Sequence, residues 1–230
     1  MQTAKDLQKE LYEKKDSAKA KNFQRFFKTG LGEYAEGDVL WGISVPTQRS
    51  IAKKYYQLEL GEISKLIKSE VHEHRLTGLI ILVNKYKKDK EKIAKFYIKH
   101  INWINNWDLV DISAPKILGD FYLSRNKKSL EIMAKSNNLW KRRISIITTL
   151  EFIRNDIFKP TIKISQILIK DEHDLIHKAV GWMLRELGKR SLSDLENFLN
   201  KNYRVMPRTM LRYSIEKFPE ERRLYYLNRK

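Results

Sequence analysis

A charged residue recurs at a nearly constant interval along this chain, each time within or at the head of an apolar helical run. The recurring residues are Arg75, Asp111, Arg143, Lys178 and Arg212, and the intervals between them are 36, 32, 35 and 34 residues. A more polar helical segment precedes each of the last four runs, over residues 90–100, 127–136, 161–170 and 192–201. Two helices per repeat and a period in the thirties are typical of α-solenoids. We therefore predict an all-α fold, with residues 1–230 forming one domain of antiparallel helix pairs.

The first fifty residues are predicted to be helical as well, with one interruption. Residues 4–29 carry one or two amphipathic helices, whereas residues 29–38 contain three glycines that break any helix. A further helix begins near Val45, because Pro46 is favoured in the first helical turn.

The recurring charged residues are expected to line a single surface. In an α-solenoid the second helices of successive pairs lie side by side on the concave face. Four cations would then surround one carboxylate, that of Asp111. The cations would bind phosphate groups, and the single carboxylate would face a positively charged group of the same partner. The pattern predicts a concave basic groove.

Composition limits the partners and the chemistry. The chain has 46 Lys and Arg against 28 Asp and Glu, which gives a net charge of +18. A charge of this size favours a polyanionic binding partner, with nucleic acid ahead of an anionic membrane surface. The alternative is that the charge serves only solubility. The chain has no cysteine, which excludes disulfides, Cys-ligated metals and thiol catalysis. Residues 1–6 show no apolar signal segment, and no apolar run approaches the roughly 20 residues of a membrane span. We expect a cytoplasmic protein with no membrane association.

Two tryptophans and an aspartate are predicted to share one helical face. Trp103, Trp107 and Asp111 lie at positions i, i+4 and i+8. A face turned to the core would not include Asp, and a solvated face would not carry two Trp. The pattern indicates a surface that meets a flat, electron-poor group, with Trp103 as the member that belongs to the core.

The histidines do not form a convincing metal site. His173 and His177 are four residues apart, but Asp174 stands where the zinc-protease pattern needs Glu, so a solvated helix start is the better interpretation. His72 and His74 are two residues apart and lie on different helix faces. No glycine-rich phosphate loop is present. We expect neither a metal nor a cofactor.

Several sequence blocks together resemble the AlkD-like family of DNA alkylation-repair glycosylases, which are built of HEAT-like repeats. The blocks occur in the family's order and spacing, at residues 26–30, 42–49, 106–111, 140–143, 178–186 and 206–208. The resemblance covers most of the chain. It implies a HEAT-like fold and a monomeric, nucleoid-associated protein that binds double-stranded DNA carrying alkylated bases.

The same resemblance implies roles for individual residues. Asp111 matches the catalytic aspartate, Trp107 and Trp182 match the tryptophans that flank the lesion, and Arg143 matches the arginine that holds the adjacent backbone. Arg142 is the alternative for that last contact, because the register is open by one residue. Arg185 matches a further DNA-contacting arginine. Together with the recurring cations of the predicted groove, the expected DNA-binding residues are Arg185, Lys178, Arg142, Arg75, Arg208 and Arg212.

The chemistry of a charged lesion is compatible with one carboxylate. An N3- or N7-alkylated purine is cationic and already a good leaving group, so the reaction needs stabilisation of positive charge on the sugar and a positioned water. Indole faces attract such a cation. We expect a monofunctional glycosylase of base excision repair that releases 3-methyladenine and 7-methylguanine. The alternatives are a non-catalytic HEAT-like DNA-binding protein and a solenoid that binds an acidic protein.

Overall fold

The structure is a computed structural model that describes residues 2–228, and this part of the chain is helical with no β-strand. One isolated bridge joins Val39 to Val71. The predicted all-α fold is confirmed. No helix within the described residues is both long enough and apolar enough to cross a membrane. The chain divides into two compact units, the first ending at Ser113 and the second beginning at Ala114.

The first unit is built around one buried helix, α5. Helices α1, α3 and α4 all pack against it. The helices of this unit are α1 (Ala4–Tyr12), α2 (Ser17–Phe27), α3 (Val45–Lys54), α4 (Leu60–Ile67), α5 (His72–Lys85), α6 (Lys90–Lys99) and α7 (Trp107–Ala114), the last of which runs one residue past the unit boundary. Short 3-10 turns at Tyr86–Lys88 and Ile101–Trp103 flank α6.

The second unit alternates short and long helices. It begins with a π-helical turn at Pro115–Gly119 and continues with α8 (Asp120–Tyr122), α9 (Lys128–Ala134), α10 (Leu139–Arg154), α11 (Lys159–Ile167), α12 (Asp174–Arg190), α13 (Leu192–Asn202), α14 (Arg208–Ser214) and α15 (Glu220–Asn228). Helix α10 packs on α12, and α12 packs on α14. The predicted polar segments correspond to α6, α9, α11 and α13, and the predicted apolar runs to α5, α7, α10, α12 and α14.

Local chemistry explains where these helices begin. Thr3 and Asp6 form a capping box at α1, and the Ser44 side chain caps α3, in which Pro46 occupies the first turn as predicted. The Asn138 side chain accepts hydrogen bonds from two backbone N–H groups of α10. The predicted loop over residues 29–38 contains no helix, and Gly32 and Gly37 adopt positive φ there.

The prediction for Trp103 is wrong. Trp103 ends a 3-10 turn, residues 104–106 are not helical, and a new helix begins at Trp107. The side chain of Asn106 accepts a hydrogen bond from the backbone N–H of Trp107 at 2.8 Å, and such side-chain competition with the backbone favours a helix boundary. Trp103 is also not a core residue, because 38% of its surface is exposed and the Lys68 ammonium lies 4.8 Å from its ring centroid.

Helices α12 and α14 approach closely because Gly181 has no side chain. A Cβ at this position would lie 2.5 Å from Cβ of Tyr213 and 2.6 Å from the carbonyl oxygen of Met210. Real Cβ atoms are not found at such distances from other atoms. Gly181 therefore sets the spacing of α12 and α14 at the residue that precedes Trp182 in the sequence.

Candidate functional site

Trp107 lies in an aromatic cluster at the start of α7. Its ring stacks on Phe27, with centroids 5.3 Å apart and an interplanar angle of 19°. Phe26 meets the same indole edge-on at 5.5 Å, and 63% of the Phe26 surface is exposed. Both phenylalanines come from the last turn of α2. An exposed aromatic next to a half-buried indole forms an apolar surface that a flat ring can contact.

Asp111 lies one helical turn beyond Trp107, so these two residues share a face of α7 as predicted. The carboxylate is half-buried. Tyr97 is fully buried in the same unit, where its hydroxyl lies 2.9 Å from Oγ of Ser113. Burial raises the pKa of Tyr97, the negative charge of Asp111 raises it further, and the Ser113 hydrogen bond opposes them. The phenol beside Asp111 therefore stays neutral.

A buried histidine joins α7 to the rest of the first unit. His72 is 2% exposed, and its Nε2 lies 2.8 Å from a carboxylate oxygen of Asp108, the residue after Trp107. Its Nδ1 lies 3.4 Å from Asp38, and its ring packs 4.9 Å from the ring of Phe27. Burial acts to lower the pKa of His72, but the carboxylates of Asp108 and Asp38 raise it to about 9. His72 is therefore an imidazolium at neutral pH.

Asp38 links this imidazolium to a second cation. Nη2 of Arg75 lies 2.6 Å from the Asp38 oxygen that also faces His72, and Nη1 of Arg75 donates to the carbonyls of Ser69 and Glu70 at 2.8 and 3.0 Å. Burial acts to raise the pKa of the Asp38 carboxyl, but the His72 hydrogen bond and the Arg75 charge hold it below its usual value. Arg75 is 3% exposed, so its guanidinium is engaged in internal contacts.

The two residues between His72 and Arg75 hold other segments in place. The buried Glu73 carboxylate accepts hydrogen bonds from three successive backbone N–H groups, at residues 41–43, over 2.8–3.2 Å. His74 places Nδ1 2.8 Å from Oγ of Ser69 and 3.4 Å from the side-chain nitrogen of Gln8. Four consecutive polar residues, His72 to Arg75, thus form a buried cluster that links several segments of the first unit.

The sequence analysis did not predict this cluster. The available signal was a run of four ionisable residues directly before the apolar segment 76–82, since ionisable side chains are buried only when they have partners.

In the second unit, Arg142 and Arg143 have different surroundings. Nε of Arg142 lies 2.6 Å from a carboxylate oxygen of Asp171, and Nη1 donates to the carbonyls of Ser136 and Asn137. Arg143 is 5% exposed and donates from Nη1 to the carbonyl of Leu175 at 2.7 Å. Arg142 thus binds the turn that precedes α12, and Arg143 binds the first turn of that helix.

Helix α12 carries three of the predicted site residues on one face. Lys178, Trp182 and Arg185 are spaced by four and three residues, and all are half-buried. Lys178 pairs with Asp174 at 2.6 Å, and Arg185 pairs with Glu216. The two cations of this face are thus already paired with neighbouring carboxylates.

The predicted cations of α14 are more accessible. Arg208 and Arg212 are both exposed, and Arg208 donates to the carbonyl of Leu227 at 2.7 Å. They lie one helical turn apart on the helix that packs against α12. Both are therefore available to an anionic partner.

The two histidines near α12 serve its first turn. His173 caps the helix by accepting a hydrogen bond from the backbone N–H of Leu175 at 3.1 Å, and Nε2 of His177 contacts the carbonyl of Asp171. Within residues 2–228, no three His, Asp or Glu side chains are arranged to hold a metal ion.

Comparison with known proteins identifies related sequences and folds. A family model described as "DNA alkylation repair enzyme" matches residues 7–218. A sequence comparison with curated proteins gives no match.

Three solved structures are similar in fold. A predicted DNA alkylation repair enzyme from Enterococcus faecalis has 16% identity and a TM-score of 0.72, and the match covers 90% of this chain and 98% of that chain. AlkD2 from Streptococcus mutans has 20% identity and a TM-score of 0.53, covering 87% and 97%. The smu.31 protein from Streptococcus mutans UA159 has 22% identity and a TM-score of 0.53, covering 76% and 93%. At these identities the similarity concerns the fold alone.

Proposed function

The chain belongs to the DNA alkylation repair enzyme family, and from that premise we propose that it is a monofunctional DNA glycosylase. Its substrates are N3- and N7-alkylated purines in double-stranded DNA, and its reaction is hydrolysis of the bond between the base and the sugar. The observation that carries the proposal is the pairing of Asp111 with Trp107 on one face of α7, in a chain with a net charge of +18.

Asp111 is the proposed catalytic residue. Cleavage of the glycosidic bond leaves its electron pair on the base, which neutralises the cationic purine, and leaves positive charge on the sugar. A carboxylate beside the sugar stabilises that charge and orients the water that adds to C1′, with loss of one proton. A leaving group that is already cationic needs no acid to protonate it, so a second carboxylate is not required.

Trp107 and Trp182 are the proposed contacts of the alkylated base. The electron-rich face of an indole attracts a cation by about 0.5–2 kcal/mol, and the attraction is larger where water is excluded. Phe26 and Phe27 support the Trp107 ring, by edge-on contact and by stacking respectively. Their packing favours one orientation of the indole before DNA is bound.

The proposed phosphate contacts are a subset of the predicted cations. Lys178, Arg185, Arg208 and Arg212 remain, on helices that pack in succession and would form the HEAT-like basic groove. Arg75, Arg142 and Arg143 are not included. Arg75 and Arg143 are buried, bound to Asp38 and to the carbonyl of Leu175 respectively, and Arg142 is bound to Asp171 and two carbonyls, so these guanidinium groups are already engaged within the protein.

Release of free base tests the proposal. Methylated duplex DNA is incubated with the wild type, with Asp111→Asn and with Asp156→Asn, and 7-methylguanine and 3-methyladenine are measured. Asp156→Asn is the matched control, because Asp156 is exposed and its positive φ of 56° suits asparagine. The wild type and the control should release base at equal rates, and Asp111→Asn should be slower by about 100- to 1000-fold.

The other outcomes each contradict a part of the proposal. Equal release by the wild type and Asp111→Asn would remove Asp111 from the mechanism. No release by any variant, with duplex binding intact, would identify a non-catalytic DNA-binding protein. Saturable binding of an acidic protein with no affinity for DNA would contradict the proposal as a whole.

A further inference from the structure

The first five residues of α7, from Trp107 to Asp111, carry both proposed functional side chains of the first unit. The helix follows the non-helical residues 104–106 and continues without a break through the π-helical turn into α8. The first backbone N–H groups of a helix have no acceptor within it. Here the side chains of Asn106 and Asp108 accept hydrogen bonds from the N–H groups of Trp107 and Leu109, each at 2.8 Å. Contacts from other elements add to this local capping and fix the position of the first turn.

His72 holds the turn by two separate routes. The first is the 2.8 Å hydrogen bond from Nε2 to the Asp108 carboxylate, directly beside Trp107. The second is packing, since the imidazole lies against Phe27 and Phe27 stacks on Trp107. The first contact is with the residue next to Trp107, and the second reaches the Trp107 indole through Phe27. His72 itself is buried, and its other ring nitrogen faces Asp38.

We propose that His72 is a positioning residue, which holds the first turn of α7 so that Trp107 and Asp111 face the alkylated nucleotide. The inference rests on the proposed function. His72 does not touch the reacting atoms, and it acts through Asp108 and Phe27. A displacement of a catalytic group by about 1 Å costs on the order of 100-fold in rate, so the effect falls on the chemical step rather than on DNA affinity.

The charge on His72 is part of this role. The charged groups that face the imidazole are Asp38 and Asp108, which favour its protonated form, and Arg75, whose Nη2 lies 3.5 Å from Nδ1 and opposes it. Only the imidazolium donates from both nitrogens, one to each carboxylate. Neutral His72 can donate to only one of the two carboxylates, so loss of the proton breaks the link that runs from Asp38 through the imidazole to Asp108.

The test compares His72→Gln with His74→Gln. The two histidines stand in the same turn of α5 and are both buried, but the contacts of His74 within residues 2–228 are with Ser69, Gln8 and Trp41, and none of these lies in α7. We expect His72→Gln to lower the single-turnover rate of 7-methylguanine release by at least about 10-fold, with the dissociation constant for DNA changed by less than about 3-fold. His74→Gln should keep the wild-type rate at pH 7.5, although it is less stable.

Two further measurements separate positioning from general loss of structure. Backbone amides of residues 107–111 should exchange hydrogen faster in His72→Gln than in the wild type, and at the wild-type rate in His74→Gln. The wild-type rate of base release should fall as pH rises through about 9, where His72 loses its proton, and this fall should be absent in His72→Gln. A residue that serves only stability would not produce this pH difference.

The exchange measurement keeps the inference separate from the proposed function. If the wild type releases no base, the glycosylase proposal fails, while faster exchange at residues 107–111 still supports the anchoring by His72. If His72→Gln matches His74→Gln in both exchange and rate, the inference is overturned. Should His72→Gln not fold, Asp108→Ala replaces it, because that change removes the acceptor of the same hydrogen bond at a more exposed residue and must show the same loss of rate and amide protection.

Discussion

Nε2 of His72 lies 2.8 Å from a carboxylate oxygen of Asp108, and this contact joins the first turn of α5 to the first turn of α7 across 36 residues of sequence. The same histidine faces Asp38 through its other nitrogen. A single side chain thus connects the loop before α3, the central helix of the first unit and the helix that carries Trp107 and Asp111. Both the stability of this unit and the geometry of the proposed site depend on the protonation of one imidazole.

The first prediction concerns stability at alkaline pH. Because the folded-state pKa of His72 is about 9 and its ordinary value is 6.5, its stabilising contribution is fully present below pH 6.5 and is lost as pH rises through 9. The free energy of unfolding, measured in urea from pH 6 to 10, should fall by about 3 kcal/mol more in the wild type than in His72→Gln. His74→Gln should follow the wild type from pH 7.5 to 10. Below pH 7.5 the wild type alone should lose stability through His74, because burial lowers the pKa of that imidazole to about 4 and the unfolded chain then binds a proton that the folded chain does not. Parallel curves for the wild type and His72→Gln would contradict the role of the imidazolium.

The second prediction concerns the contact of α12 with α14. Gly181→Ala places a Cβ within 2.6 Å of both Tyr213 and Met210, so the helices must separate, and the free energy of unfolding should fall by about 1–3 kcal/mol. Gly61→Ala in α4 is the control, because no atom lies within 4 Å of the added Cβ. That variant should gain about 0.5–1 kcal/mol from helix propensity and backbone entropy. A neutral Gly181→Ala would show that the two helices are not closely packed at this point.

The third prediction concerns the cations proposed to contact phosphates. The logarithm of the DNA association constant should fall linearly with the logarithm of salt concentration, and Arg212→Ala should make the slope shallower by about 0.9. The control is Arg190→Ala, since Arg190 is exposed at the end of the same helix that carries Trp182 and is paired with Asp156. This control should keep the wild-type slope. Equal changes in both variants would indicate that binding depends on net charge and not on a contact made by Arg212.

The helices of this protein follow from local patterns in the sequence. The apolar runs at residues 143–152 and 179–187, the cap at Asn138 and the proline at the start of α3 act over a few residues, so they can be identified without knowing the fold. The one local error, at Trp103, also has a local cause, because the Asn106 side chain competes with the helix backbone. The recurrence near 34 residues indicated how these helices pair.

The surroundings of individual charges required the tertiary structure. Arg75 and Arg212 occupy equivalent places in the sequence repeat, but Arg75 is buried against Asp38, 37 residues away, whereas Arg212 is exposed. In the segment His72-Glu73-His74-Arg75 the sequence predicted a DNA contact for Arg75 and did not reveal the buried cluster, because the partners outside the segment lie between 5 and 66 residues away. Sequence determined the helices and the proposed chemistry of Asp111 and Trp107, since helix formation and residue type are local properties. Only the folded chain decided which cations are exposed and which are buried in ion pairs, since an ion pair depends on distance in space and not on separation along the chain.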